Sequence, residues 1–131
     1  MKSNLKDTGL LIFRVGVCYF MIAFHGLVKL QYLFSGEEIK FYDPLGIGMI
    51  LSFFLSLFAE FICAIFVGMG LFARWAAAIL VINMATIFFI HHAADAMVSK
   101  QLPGLFLLAF VLVLLLGPGR FSLDKILRNR S

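Results

Sequence analysis

Four long apolar segments determine what this chain of 131 residues can fold into. They run over residues 10–34, 45–72, 75–93 and 102–117. A helix crosses the hydrocarbon core of a bilayer with roughly 17–25 residues, so each segment is long enough, or nearly long enough, to cross. The segments do not alternate between apolar and polar residues, as the strands of a membrane barrel do. They therefore predict a single domain over residues 1–131 that is all-α: an integral membrane four-transmembrane-helix bundle with a basic C-terminal tail, residues 118–131.

The composition agrees with lipid as the surrounding solvent. Hydrophobic residues make up 63% of the chain, and the mean hydropathy is +1.03. Soluble domains contain only about 45–50% apolar residues. The formal net charge is +4, but the basic residues gather at the two ends of the chain. That distribution is typical of topology signals and excludes a nucleic-acid-binding face.

The charges between the apolar segments predict the orientation of the chain. Lys2 and Lys6 precede the first segment, Arg74 lies in the second connection, and four basic residues lie in the C-terminal tail. The first connection, residues 35–44, is acidic instead. Because loops rich in lysine and arginine stay on the cytoplasmic side, we expect both the N- and C-termini to be cytoplasmic.

Glu60 is the residue that a plain apolar helix does not explain. A buried carboxylate costs several kcal/mol unless it is paired or protonated, and inside a membrane it indicates a functional site. On the first helix, Arg14, His25 and Lys29 fall within about 60° of one another at helical spacing. At about 1.5 Å of rise per residue, His25, Glu60 and His91 reach similar depths. We therefore predict that these three side chains meet, with Lys29 just above them, to bind a ligand or handle protons.

Less specific interpretations stay open for each candidate. Arg14 and Lys29 can extend along the helix to reach the headgroups at the two membrane surfaces. Asn83, on the third helix, is a candidate for the same site but is more often a hydrogen-bonding residue between helices. His91 can simply lie at the interface. Glu60 can form a purely structural ion pair with Arg14 or His25.

Two cysteines, Cys18 and Cys63, lie inside apolar segments. Two widely spaced cysteines form neither a disulfide framework nor a zinc motif, and we interpret them as small buried hydrophobic residues. We expect no metal site, since a metal needs three or four converging ligands and no motif supplies them.

Five pieces of the chain together resemble the DoxX family of membrane proteins. They are residues 14–30 (RVGVCYFMIAFHGLVKL), the Ala59-Glu60 pair, residues 70–77 (GLFARWAA), the Asn83-Met84 pair with His91 following, and residues 114–124 (LLLGPGRFSLD). Their order and spacing extend over nearly the whole chain. One position departs from the family, in which a glutamate often precedes the fourth helix. The chain has Gln101 there.

The resemblance implies a four-helix bundle in the bacterial cytoplasmic (inner) membrane. Members of this family include a subunit of an archaeal terminal quinol oxidase and thiosulfate:quinone oxidoreductase. Others are linked to oxidative stress and thiol redox systems, and most have no established activity. The resemblance therefore implies a redox-associated role with quinone as the possible cofactor, and it implies no particular catalytic residue.

Three functions are compatible with these observations. The first is a quinone-linked or oxidoreductase accessory subunit, in which His25 donates hydrogen bonds or relays protons and Glu60 carries a proton. The second is a non-catalytic membrane anchor or assembly module for a partner protein. The third is a small-molecule transporter, although no inverted repeat or broken helix supports it. The expected partners are membrane lipid, a quinone or other lipophilic small molecule, and an oxidoreductase subunit in a hetero-complex, or further copies of the chain in a homo-oligomer.

Overall fold

The structure is a computed structural model that describes residues 2–40, 43, 46–91 and 97–130. Within these ranges the regular secondary structure is entirely helical. Helix α1 comprises Lys2–Met21, the π-helical turn Ile22–Gly26 and Leu27–Phe34; α2 comprises Met49–Leu57, the π-helical turn Phe58–Cys63 and Ala64–Met69. Helix α3 comprises Ala73–Thr86 and the π-helical turn Ile87–His91; α4 is Met97–Leu116 and α5 is Leu123–Arg130.

Three of these helices are long and apolar enough to cross a membrane: Asn4–Phe34, Met49–Met69 and Ala73–Ile90. Part of α4, Lys100–Leu116, is a shorter apolar stretch. For the described residues, the predictions of an all-helical fold and of helices suited to a membrane are therefore confirmed. The fourth crossing and the orientation of the termini remain predictions.

The helices begin and end at different residues from the apolar segments. Helix α1 begins at Lys2 because the polar residues before residue 10 continue the same helix. Helix α2 ends at Met69, before the predicted residue 72, because Gly70 adopts a left-handed conformation with φ of 75°. Pro103 lies inside α4 and not at its start, because the helix already begins at Met97. It removes one backbone hydrogen bond near that helix end.

Small and medium side chains form the core of the bundle. Alanines from α2 and α3 let the helices approach closely, as is common inside membranes. The buried core residues are Cys18, Met21, Ala59, Cys63, Ala64, Val67, Ala76, Ala77, Leu80, Met84, Phe106, Phe110 and Val113. Large apolar side chains elsewhere point outward, among them Phe34, Ile82 and Leu115. Such an apolar exterior is suited to lipid.

Arg14 joins α1 to the C-terminal part of the chain. Its side chain is buried, with 1% of the residue exposed. Its Nε donates to the carbonyl of Gly68 at 3.3 Å, and its two terminal nitrogens donate to the carbonyls of Pro118 and Phe121, the latter at 2.8 Å. Three backbone carbonyls therefore hold this guanidinium in the end of the bundle where α5 lies, which we call the tail end.

Asp124 connects the first turn of α5 to the start of α3. Its two carboxylate oxygens accept hydrogen bonds from the backbone N–H groups of Phe72 and Ala73, at 2.8 and 3.0 Å. Its own N–H donates to the carbonyl of Gly70 at 2.9 Å. A side chain at Gly70 would overlap Ser122. The carboxylate thus occupies the position of an N-cap, although it comes from a segment distant in sequence.

Asp43 performs a similar task at the opposite end, before α2. It accepts hydrogen bonds from the N–H groups of Ile47 and Gly48, at 3.0 and 2.7 Å, and from the hydroxyl of Ser52 at 2.9 Å. The hydrogen bond from the Gly48 amide is the main reason that the pKa of Asp43 is below its usual value. This carboxylate therefore orders the first turn of α2.

Candidate functional site: a buried carboxylate behind an apolar groove

Glu60 lies in the π-helical turn of α2, and its side chain is 2% exposed. The Nζ of Lys29 is 2.7 Å from its Oε2, and the hydroxyl of Ser56 donates to the same oxygen. The Nδ1 of His25 is 3.9 Å from Oε1. One oxygen of the carboxylate is thus held by two donors, while the other faces the imidazole. We call Glu60, Lys29, His25 and Ser56 the polar cluster.

Gly26 allows α1 to lie directly on α2 at this point. A Cβ placed on Gly26 would be 2.6 Å from the carbonyl oxygen of Glu60 and 3.1 Å from the Cα of Phe61. Those distances are too short for any side chain, and the obstacle is backbone. Because His25 and Lys29 flank this glycine on the same helix, the close approach brings both of them to Glu60.

Three π-helical turns hold residues that the sequence analysis singled out. His25 lies in Ile22–Gly26, Glu60 lies in Phe58–Cys63, and His91 is the last residue of Ile87–His91. A π-helical turn changes the direction in which the following side chains point, and such turns are frequent at functional sites. The turns in α1 and α2 meet where Gly26 contacts Glu60.

An apolar groove of about 430 Å³ opens between α1 and α4, beside the polar cluster. Its walls include Phe13, Val17, Phe24 and Leu105, and His25 is its one polar residue among the described lining side chains. The ring of His25 meets the ring of Phe106 edge-on, with centroids 5.5 Å apart. A long apolar molecule can therefore lie in this groove with its polar end at His25.

His25 connects the groove with the buried carboxylate. Its side chain is 32% exposed, and its Nδ1 is the atom that faces Glu60. Among the described residues, no protein acceptor or donor is bonded to the other ring nitrogen, Nε2. The imidazole can therefore contact a ligand through one nitrogen and Glu60 through the other.

The structure does not bring all the predicted residues together. Arg14 lies at the tail end, about three helical turns from His25. It neither pairs with Glu60 nor extends to the headgroups, because the carbonyls of Gly68, Pro118 and Phe121 bind it inside the protein. Lys29, by contrast, turns inward to Glu60 instead of outward to the membrane surface.

Asn83 and His91 are not connected to the polar cluster by any contact in the described structure. Asn83 lies on α3, and its Nδ2 is buried without a hydrogen-bond partner there. His91 ends the π-helical turn of α3, but its side chain falls outside the part that the structure describes. The predicted meeting of His91 with Glu60 is therefore untested.

Several features of the site were not predicted from the sequence. Leu105 and Phe106 of α4 line the groove, although the uniformly apolar sequence of residues 102–117 gave no sign of it. Gly26 was predicted only as part of the family motif, although a small residue in a membrane helix is a signal for close helix approach. The described residues contain no group of three or more histidine, cysteine or acidic side chains that could hold a metal. Cys18 and Cys63 are buried free thiols.

Comparison with known proteins places the chain in a family. The model of the DoxX family matches residues 9–93, more than half of the chain. The match includes all four residues of the polar cluster, whereas the GPGRFSLD segment and α4 lie beyond it. Neither the comparison with curated proteins nor the comparison with solved structures gave a match. On the family match, the chain belongs to the DoxX family.

Proposed function

We propose that this DoxX-family membrane protein binds a lipophilic redox carrier of the quinone class. The groove holds the apolar part of the molecule, and His25 binds the headgroup with Glu60 and Lys29 behind it. The observation that supports this proposal is the position of His25, which is the polar lining residue of an apolar groove and a neighbour of a buried carboxylate. Ligand sites are commonly apolar cavities with a few well-placed polar groups.

The protonation state of His25 decides what it offers to the headgroup. As an imidazolium it donates from Nε2 to a carbonyl oxygen of the oxidised carrier while Nδ1 faces Glu60. As a neutral imidazole with the proton on Nδ1, it accepts a hydrogen bond from a hydroxyl of the reduced carrier. Histidine is the side chain that most commonly exchanges a proton in such a role. The bound carrier would supply the electron chemistry.

Glu60 and Lys29 form a pair of opposite charges next to His25, where protons would be exchanged with the headgroup. The distance of 3.9 Å between Nδ1 and Oε1 is longer than a hydrogen bond, so a proton passes directly only if the two groups move closer. The Lys29 ammonium at 2.7 Å stabilises the ionised carboxylate. The proposed role of Glu60 is to receive a proton through His25 and to return it.

We further propose a place for the protein in the cell. The three long helices and the shorter apolar stretch of α4 support four crossings, and the basic tail supports cytoplasmic termini. The bacterial cytoplasmic membrane and a partner oxidoreductase, in a role associated with redox or oxidative stress, are what the family resemblance implies. Reporter fusions after residue 131 and within residues 35–40 test the orientation: the first must report a cytoplasmic location and the second an external one.

A second candidate function is a non-catalytic membrane module that anchors or assembles a partner protein. It is favoured by the bonding of Glu60, whose Oε2 already has both Lys29 and Ser56 as partners without a ligand. In that case the polar cluster only joins α1 to α2. The two functions differ in whether a small lipophilic molecule binds at His25.

Equilibrium binding of a short-chain quinone to the purified protein in mild detergent tests the proposal. Replacing His25 with Phe keeps a ring in the wall but removes the hydrogen bond, and we expect binding to weaken about tenfold, equivalent to ~1.4 kcal/mol. Phe106→Ala should also weaken binding because it removes part of the groove wall. Phe89→Ala is the control, since Phe89 is exposed and does not line the groove. Equal binding by wild type, His25→Phe and Phe106→Ala would rule out this groove as the site.

A further inference from the structure

A second cavity, of about 740 Å³, lies at the tail end of the protein. It is formed where the turn between α2 and α3, the end of α4 and the helix α5 meet. Its charged lining residues are four basic ones, Arg74, Arg120, Lys125 and Arg128, and two acidic ones, Asp7 and Asp124. The lining therefore carries an excess of positive charge. We call this cavity the basic pocket.

The Asp124 carboxylate of the basic pocket is bonded to the backbone and not to Arg74 or Lys125 within the described residues. Both oxygens of Asp124 accept hydrogen bonds from the backbone at the start of α3, from Phe72 and Ala73. Within the described ranges, neither Arg74 nor Lys125 forms an ion pair. Arg120 contacts only the amide oxygen of Asn4, at 3.4 Å. Positive charge is thus left available to an anion from outside.

The guanidinium of Arg74 lies close to Gly117 in the lining of the basic pocket. A Cβ at Gly117 would be only 3.0 Å from the Nη2 of Arg74 and 3.1 Å from its Nε. Gly117 also has a positive φ of 79°, which suits glycine. The absence of a side chain there leaves the guanidinium room to lie against the loop. Its flat fork of N–H donors matches the oxygens of a phosphate.

An apolar rim borders the basic pocket. Trp75 is 77% exposed, and Phe72 and Leu116 also present most of their surface outward. Trp side chains favour the boundary between headgroups and hydrocarbon. A ligand with a charged head and apolar chains therefore fits both parts of this surface better than a soluble anion does.

We propose that the basic pocket binds the phosphate of an anionic phospholipid headgroup, with Arg74 as a direct ligand and Lys125 adding charge. The acyl chains lie along the rim at Trp75 and Leu116. Basic pockets at the membrane surface are known to select anionic headgroups. The proposal does not depend on the quinone site, because the polar cluster lies near the other end of α1.

The test measures lipid binding by the full chain in detergent, with native mass spectrometry. Phosphatidylglycerol and phosphatidylcholine are offered together at equal concentration. We expect the wild type to retain the anionic lipid, and Arg74→Gln to reduce that preference about fivefold. Lys6→Gln is the matched control, because it removes one exposed positive charge on α1 outside the basic pocket. It should leave the preference unchanged.

Three results would overturn the proposal. The first is equal retention of both lipids by the wild type, and the second is an equal loss in Arg74→Gln and Lys6→Gln, which would show a general surface charge effect. The third is displacement of the lipid by millimolar inorganic phosphate with the phosphate itself retained, which would identify a site for soluble anions. Arg74→Lys, which keeps the charge but not the fork of donors, separates a binding loss from misfolding: it should restore part of the preference.

Discussion

At the scale of single residues, the ion pair between Glu60 and Lys29 dominates the energetics of the site. The Lys29 side chain is 18% exposed and that of Glu60 is 2% exposed. Removing charges from water costs several kcal/mol for each ion, which their mutual attraction largely offsets. Breaking such a pair by removing one partner therefore costs more than removing both.

This asymmetry gives a prediction for a double-mutant cycle. We expect Glu60→Gln to destabilise the protein by about 3 kcal/mol, at the lower end for a broken buried pair, because it removes the carboxylate that the Lys29 ammonium faces at 2.7 Å. Lys29→Met should destabilise it less, since Ser56 still donates a hydrogen bond to the Glu60 carboxylate. The loss of unfolding free energy in the double variant should be smaller than the sum of the losses in the two single variants. Unfolding in mixed micelles measures all four proteins, and strictly additive effects would contradict the ion pair.

Gly26 is the second residue on which the site depends. We expect Gly26→Ala to destabilise the protein by roughly 1–3 kcal/mol, because the added Cβ meets the backbone of Glu60 and forces α1 away. Gly16→Ala on the same helix is the control, since a Cβ there would find nothing within 4 Å. It should be neutral or slightly stabilising, because alanine favours helix. Equal effects of the two substitutions would contradict the close approach of α1 and α2.

Helical spacing and depth predicted that His25, Glu60 and His91 meet with Lys29 just above. The structure brings His25 and Lys29 to Glu60, the part concerning His91 stays a prediction, and the spacing did not indicate the partners of Arg14. The spacing of residues along a helix predicts which side chains share a face, and the rise per residue predicts how deep each lies in the membrane. Neither reveals that carbonyls at 68, 118 and 121 bind the guanidinium of Arg14. Those carbonyls are exposed by loops and helix ends, whose geometry depends on tertiary structure.

At the scale of elements, the C-terminal segment, residues 117–130, connects several helices at the tail end of the bundle, and we call it the clasp. Arg14 binds the carbonyls of Pro118 and Phe121, and Asp124 caps α3. The most specific part of the sequence resemblance, GPGRFSLD, therefore has a structural explanation. Its residues connect α1, α3 and α5, and none of them lines the groove beside His25.

Loss of the Asp124 cap should loosen the tail. We expect Asp124→Asn to expose the segment from Arg120 to Arg128 to trypsin, because the substitution removes a charge that stabilises the start of α3, worth about 1 kcal/mol. The rate of cleavage there, followed by mass spectrometry, measures the effect. Asp7→Asn is the control, since Asp7 makes no hydrogen bond within the described structure. An unchanged rate in Asp124→Asn would show that the cap does not hold the tail.

The π-helical turns show the limit of prediction for elements. Apolar length correctly indicated helices, but the three π-helical turns of the described residues lie within the predicted apolar segments, and each contains one histidine or glutamate. No proline or glycine pair marks them. The turns in α1 and α2 meet at Gly26 and Glu60, and a pattern along one helix does not contain a contact between two helices.

At the scale of the whole molecule, the protein has two chemically different ends. The polar cluster and the apolar groove lie toward one end of α1, and the basic pocket and the clasp lie at the tail end. The all-helical membrane fold could be predicted because apolar length is a strong signal. The groove could not, because it is a gap between Phe13 and Val17 on α1 and Leu105 on α4. Its existence depends on how far apart those helices pack.

The central claim is that the groove beside His25 and Glu60 holds a lipophilic carrier. Mass spectrometry of the lipid extract from protein purified in mild detergent tests it most directly, with Glu60→Gln compared with the wild type. Glu37→Gln, the same change in an exposed loop residue, is the control. We expect a quinone, or another small lipophile, with the wild type and Glu37→Gln and a marked loss from folded Glu60→Gln. A folded wild type without any such molecule, or equal amounts in all three proteins, would contradict the account and leave the polar cluster as a structural link between α1 and α2.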